Sequence, residues 1–122
     1  MRRLVVLSLL VAGCVTEDNV LEKVSASSCR RDRECNQADF EANYADLEAC
    51  VTDGVDALDG VQTCEIAAGC VYSPEEADGC LKAIHQEDCG AYNSGDHGSA
   101  CDNIYSCSTG QLIDVGLCLL GG

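Results

Sequence analysis

The stretch Ser73-Pro74-Glu75-Glu76-Ala77-Asp78-Gly79-Cys80-Leu81-Lys82-Ala83-Ile84 decides the fold class. Ser73 stands where a helix N-cap belongs, Pro74 has no N–H to lose in the first turn, and Glu76 closes a capping box. Behind that start Ala77, Cys80, Leu81 and Ile84 fall on one helical face, so Cys80 points at the core. Asp78 and Lys82 pair at i,i+4 on the wet side. Gly90 marks the end of this helix.

Outward from it, the same signals recur. Asn36 and Asp39 read as an N-cap and its N3 partner, and Phe40, Tyr44, Leu47 and Val51 follow at spacings of four, three and four along one helix. Ser99 and Asp102 repeat the capping pattern ahead of Ile104 and Tyr105, which predicts a short helix there. From Asp53 to Gly69 the spacing predicts a broken helix, because Gly54 and Gly60 weaken it. From Gln111 to Leu120 two readings stand: Ile113, Val115, Leu117 and Leu119 alternate as in a short C-terminal strand, whereas the surroundings favour a helix buried on most sides. Gly90 to Gly98, rich in Gly, Asn, Ser and Asp, reads as the main loop. The fold class is therefore mainly α: a small disulfide-rich helical domain.

The chain has 122 residues, enough for one small domain. Its 21 Asp and Glu against 7 Lys and Arg give a net charge of -14, which excludes nucleic acid as a partner. The first residues carry Arg2 and Arg3, then an apolar run from Leu4 to Val11 broken only by Ser8, then small residues before Cys14. That order is a secretory signal peptide, too short to span a bilayer.

The stretch Val11-Ala12-Gly13-Cys14 resembles the lipobox of bacterial lipoproteins. The resemblance implies cleavage before Cys14, lipid on its thiol and acylation of the new amino terminus. With the signal peptide thus over 1–13, the polar composition up to Ser25-Ala26-Ser27-Ser28 makes 14–28 the lipidated cysteine and a flexible tether, and 29–122 a cysteine-rich helical domain. With Arg2 and Arg3 removed, the charge of the mature chain becomes -16. The lipid bilayer is then a partner through acylated Cys14. Val15 stands where Asp would mark inner-membrane retention, which points to the outer membrane of the cell envelope.

Eleven cysteines are an odd number. Setting Cys14 aside leaves Cys29, Cys35, Cys50, Cys64, Cys70, Cys80, Cys89, Cys101, Cys107 and Cys118, which can form five disulfides in an oxidising compartment. Three pairs have five residues between them: Cys29 and Cys35, Cys64 and Cys70, Cys101 and Cys107. Each is followed by a further cysteine, so the spacing is compatible both with three related units and with coincidence; the pairing is open. Cross-links have a thermodynamic reason here, since Leu, Ile, Val and Phe make up only 21 of the 109 residues from Cys14 onward.

No complete catalytic or metal-binding set is visible. Without a C-x-x-C, and with His85 and His97 isolated, neither zinc ligation nor thiol exchange is indicated. Asp53, Asp56 and Asp59 with Gly54 and Gly60 form an acidic stretch over 53–60 that reads as a solvated turn, since it lacks the alternation of a calcium loop. Asp96, His97 and Ser99 are neighbours in sequence, whereas triads are assembled in space. Arg30, Arg31 and Arg33 alternate with Asp32 and Glu34 and read as a solvated cluster. No catalytic residue and no cofactor is assigned. The expected function is a membrane-anchored, non-enzymatic lipoprotein that binds an envelope or extracellular protein or serves the envelope structurally. The alternative is a calcium-dependent binding domain or a small periplasmic enzyme.

Overall fold

A computed structural model describes residues 15–95 and 98–121. Helices α1 (Val20–Cys35), α2 (Gln37–Asn43) and α3 (Leu47–Ala68) lead to a short strand β1 (Val71–Tyr72). Helices α4 (Pro74–Gln86), α5 (Cys89–Ser94) and α6 (Gly98–Cys101), strand β2 (Tyr105–Ser106) and helix α7 (Thr109–Gly121) follow. The strands pair antiparallel, Val71 opposite Ser106 and Tyr72 opposite Tyr105. Helix α3 packs between α1 and α7, and α1 also carries α2, α4 and α5. The mainly helical, cysteine-rich domain is thus as the sequence indicates.

The α4 start forms as its residues dictate. Ser73 Oγ accepts from the Glu76 N–H at 3.2 Å, and Pro74 fills the first turn. The reciprocal half of the capping box is replaced: the Ser73 N–H donates to the Ile104 carbonyl at 2.8 Å, which joins α4 to the second strand. Ala77, Cys80 and Ile84 are buried, and Lys82 meets Asp78 at 2.8 Å.

Several boundaries differ from the sequence reading. Helix α4 stops at Gln86, and Gly90 lies inside α5, which Asp88 caps by accepting from the Ala91 N–H at 2.8 Å. The loop expected over Gly90 to Gly98 is thereby reduced, with Asp96 and His97 outside the described residues. Phe40, Tyr44, Leu47 and Val51 are not on one helix. The chain turns after Asn43, and Asp46 starts α3 by accepting from the Ala49 N–H at 2.8 Å. The four side chains nonetheless meet across that turn, around buried Cys29 and Cys50. The short helix expected at Ile104 and Tyr105 sits earlier, at Gly98–Cys101, and Tyr105 belongs to β2.

Helix α3 runs unbroken for 22 residues through both of its internal glycines. Tertiary packing overrides their low propensity. Gly54 lies against α1 so closely that a Cβ there would come within 2.8 Å of Ser25 Oγ and 3.0 Å of Ser25 Cβ. The helix ends at Gly69, whose φ of 84° lets the N–H groups of Gly69 and Cys70 close the last turn. Nor is there a flexible tether up to Ser28. Helix α1 begins at Val20, and Val20 and Ser25 are buried. The polar composition of this segment is that of an amphipathic helix, with its small residues, such as Ser25, used for close approach to α3.

All ten cysteines from Cys29 to Cys118 are paired: Cys29 with Cys50, Cys35 with Cys89, Cys64 with Cys118, Cys70 with Cys107, and Cys80 with Cys101. This does not follow a threefold repeat, because only Cys29–Cys50 closes within one of the three units. Such bonds form and persist in oxidising compartments outside the cytoplasm. Among the described residues, no helix is long and apolar enough to cross a membrane.

Two outcomes follow from this packing. Gly54→Ala should destabilise the domain by about 1–3 kcal/mol through overpacking against α1. Gly60→Ala, where the added methyl meets nothing within 4 Å, should be neutral or stabilise by up to about 1 kcal/mol; denaturant midpoints of the two variants, compared with the parent, check the opposite signs. For the oxidised protein, thiol labelling under denaturing conditions should find none of the ten domain cysteines reactive, and all ten after reduction. The reduced protein should lose its cooperative melt in circular dichroism, because its core without cross-links is too small.

Candidate functional site

The residue after Cys14 is fixed to the body of the domain. Tyr72 Oη donates to the Val15 carbonyl at 3.2 Å. The next turn is closed by the Asn19 side chain, which accepts from the Thr16 N–H at 2.9 Å, and by the Asn19 N–H, which donates to the Thr16 carbonyl at 3.1 Å. Gln62 on α3 donates to the Glu17 carbonyl at 3.2 Å and to Tyr105 Oη at 2.9 Å. The Tyr72 and Tyr105 rings, opposite one another on the two strands, pack at 5.6 Å. Thus α3 and the strand pair together hold residues 15–19. Cys14 itself lies outside the described residues.

Helix α7 starts beside this junction. Ser108 and Gln111 bond reciprocally, side chain to backbone N–H, at 2.8 and 3.2 Å. Gln111 Nε2 also donates to the Gly69 carbonyl at 3.0 Å, just ahead of β1. Val115 is buried, and Cys118 is bonded to Cys64 on α3. The rest of α7 is not buried, contrary to expectation. Ile113, Leu117 and Leu120, at spacings of four and three, form an outward row and are 60%, 63% and 87% exposed. Leu112 and Leu119 flank that row and are also exposed, and Asp114 is the helix's one charged residue. Val71 on β1 and Ile66 in the last turn of α3 add apolar exposure at the end where α7 starts.

Two grooves border α3. The first, an open groove of about 400 Å³ against α1, is lined by Asp18, Glu22, Glu48, Asp56 and Asp59 together with apolar residues. The second, of about 360 Å³, is mostly apolar, with Val20, Leu58, Val61, Ile104 and Tyr105 in its walls. Burial pushes the Glu65 carboxyl beside it above the usual carboxylate range.

The candidates singled out in the sequence land apart. Asp53, Asp56 and Asp59 lie on α3 rather than in a turn, and Asp53 accepts from Tyr44 Oη at 3.1 Å. The calcium-loop geometry is therefore absent. Among the described residues, no three His, Cys, Asp or Glu side chains are grouped to hold a metal ion. His85 is exposed on α4, and His97 is outside the described residues. Arg31 is not merely solvated: it donates to the Ile84 carbonyl at 3.2 Å and to the His85 carbonyl, closing the C-terminus of α4. The roles of Tyr72, Gln62 and Arg31 are long-range and leave no local signal. The outward α7 row was legible as Ile113-x3-Leu117-x2-Leu120, but the strand-like alternation through Val115 competed with it.

The tyrosines report on this packing. Burial foremost pushes the Tyr105 hydroxyl up to about 12, and Tyr72 is raised by burial and then by the Glu17 charge. A folded pKa above the ordinary 10.0 means that Tyr105's contribution to stability is complete below pH 10.0 and is lost as pH rises towards about 12, and that Tyr72's is lost in the same direction. Ultraviolet titration should show Tyr105 ionising within or after alkaline unfolding. Tyr105→Phe should remove the highest-pH component.

Comparison with protein-family models, with curated proteins and with solved structures finds no match to this chain.

Proposed function

We propose that this is a lipid-anchored, non-enzymatic protein of the bacterial cell envelope, a protein-binding or envelope-structural module held at the membrane through acylated Cys14. The observation that carries the reading is the pairing of all ten other cysteines, which leaves Cys14 as the one cysteine outside the disulfide set. An exported chain with an odd thiol requires a fate for it, and the residues around Cys14 supply one. Two or more acyl chains, at about 0.8 kcal/mol per buried methylene, suffice for stable attachment without a spanning helix. Val15 at the position after the anchor favours the outer membrane.

The non-enzymatic reading is supported by what the polar side chains do. Ser73, Asp46 and Asp88 cap helices, Arg31 closes one, and Gln62 and Gln111 fasten segments distant in sequence. These are tasks of a scaffold whose surface does the work.

Cys14→Ser should abolish incorporation of a metabolic fatty-acid probe and leave the precursor uncleaved, with its signal peptide still attached by mass, and with the five disulfides unchanged. Undiminished label in that variant would refute the anchor. Density-gradient separation of the parent should place it with the outer membrane.

A further inference from the structure

We infer that the outward face of α7 rests in the interfacial layer of the lipid bilayer that holds the anchor. The inference builds on the reading of Cys14 as the acylated residue and adds how the body lies on the membrane.

Consecutive Cα atoms are only about 3.8 Å apart, so Cys14 stands next to a Val15 whose carbonyl Tyr72 holds at 3.2 Å. Tyr72 belongs to β1, and Gly69, just before that strand, accepts from Gln111 in the first turn of α7 at 3.0 Å. The lipid chains therefore leave the body at the strand pair, the end of the molecule at which α7 also starts, and no slack segment lifts the domain away. A body held so closely must set part of its surface on the bilayer.

The surfaces within reach differ sharply. On the α1 side stand Glu17, Asp18 and Glu22, all exposed carboxylates. On the α7 side stand Ile113, Leu117 and Leu120, flanked by Leu112 and Leu119, with Asp114 the single charge. Carboxylates resist leaving water, whereas exposed leucines gain by leaving it. The body thus tilts onto α7, which lies in the membrane plane as an amphipathic helix does. Helix α7 has no Lys or Arg, so its attachment is apolar and owes nothing to anionic headgroups. A chain of net charge -14, or -16 without Arg2 and Arg3, is repelled by an anionic surface and accepted by a zwitterionic one. The same charge opposes burial of this face against a second copy.

The chain contains no Trp, so Leu117→Trp and Leu120→Trp each create a single reporter. Both positions are exposed and tolerate the larger ring. Ala42→Trp on α2, which packs on α1 rather than on α7, is the control. The full chain is purified from membranes and reconstituted into phosphatidylcholine vesicles with and without brominated acyl chains. Mass spectrometry verifies the acyl modification and the five disulfides. We expect blue-shifted emission at both α7 positions, a loss of intensity in brominated vesicles, and neither effect at Ala42→Trp. Acylated protein that floats with vesicles while its α7 reporters keep water-exposed, unquenched emission would overturn the inference and leave the anchor intact. A chain without acyl groups would overturn both readings together. A concentration-dependent blue shift in detergent, with doubled mass and no quenching in vesicles, would overturn the inference in favour of a second copy.

Discussion

Cross-linking is the constraint on which the rest depends. One series of bonds joins α5 to α1 through Cys35–Cys89, α1 to α3 through Cys29–Cys50, and α3 to α7 through Cys64–Cys118. Cys70–Cys107 fastens the strand pair beside β1 and β2, and Cys80–Cys101 joins α4 to α6. The sulfurs are also much of the interior. Among the described residues, four of the ten buried apolar residues are the half-cystines Cys29, Cys50, Cys64 and Cys80. At about 2–4 kcal/mol each, the bonds act mainly by restricting the unfolded chain, which replaces the burial this composition cannot supply. The unit of α4 and α6 has no disulfide to α1, and Arg31 reaches across to the α4 carbonyls there.

What was legible in the sequence was local chemistry and parity. Ser73 and Pro74 set the start of α4, Cys80 faced the core, and an odd cysteine count separated Cys14 from the rest. What was not legible depends on contacts between distant residues. Gly54 weakens an isolated helix, but against Ser25 it is the residue that allows α3 and α1 to approach. Phe40, Tyr44, Leu47 and Val51 share a cluster as their periodicity suggests, yet Asp46 starts a new helix between them because a capping side chain competes with continuation. The segment before Cys29 reads as a tether by composition, and only its partners on α3 and the strand pair make it part of the body.

The candidate site shows the same division. The proposed anchor at Cys14 rests on a local motif, whereas the fixing of Val15 by Tyr72 requires residues 57 apart in sequence. The exposed face of α7 is a matter of which side Cys118 takes. Once that sulfur bonds to Cys64, the row opposite is turned away from α3 and stays exposed.

The order of the bonds along the chain has a consequence for how the protein matures. Three of them are nested: Cys80–Cys101 lies within Cys70–Cys107, which lies within Cys64–Cys118. For a chain delivered N-terminus first, these close from the inside outward as each later partner arrives. Cys29–Cys50 also completes early. None of the five bonds joins cysteines that are neighbours in the order of arrival, and Cys35 is exposed to Cys29 before it and to Cys50, Cys64, Cys70 and Cys80 after it, before its partner Cys89 appears. Oxidation in order of arrival would trap Cys35 with a wrong partner, so correct maturation demands either slow oxidation or a catalyst that reshuffles disulfides.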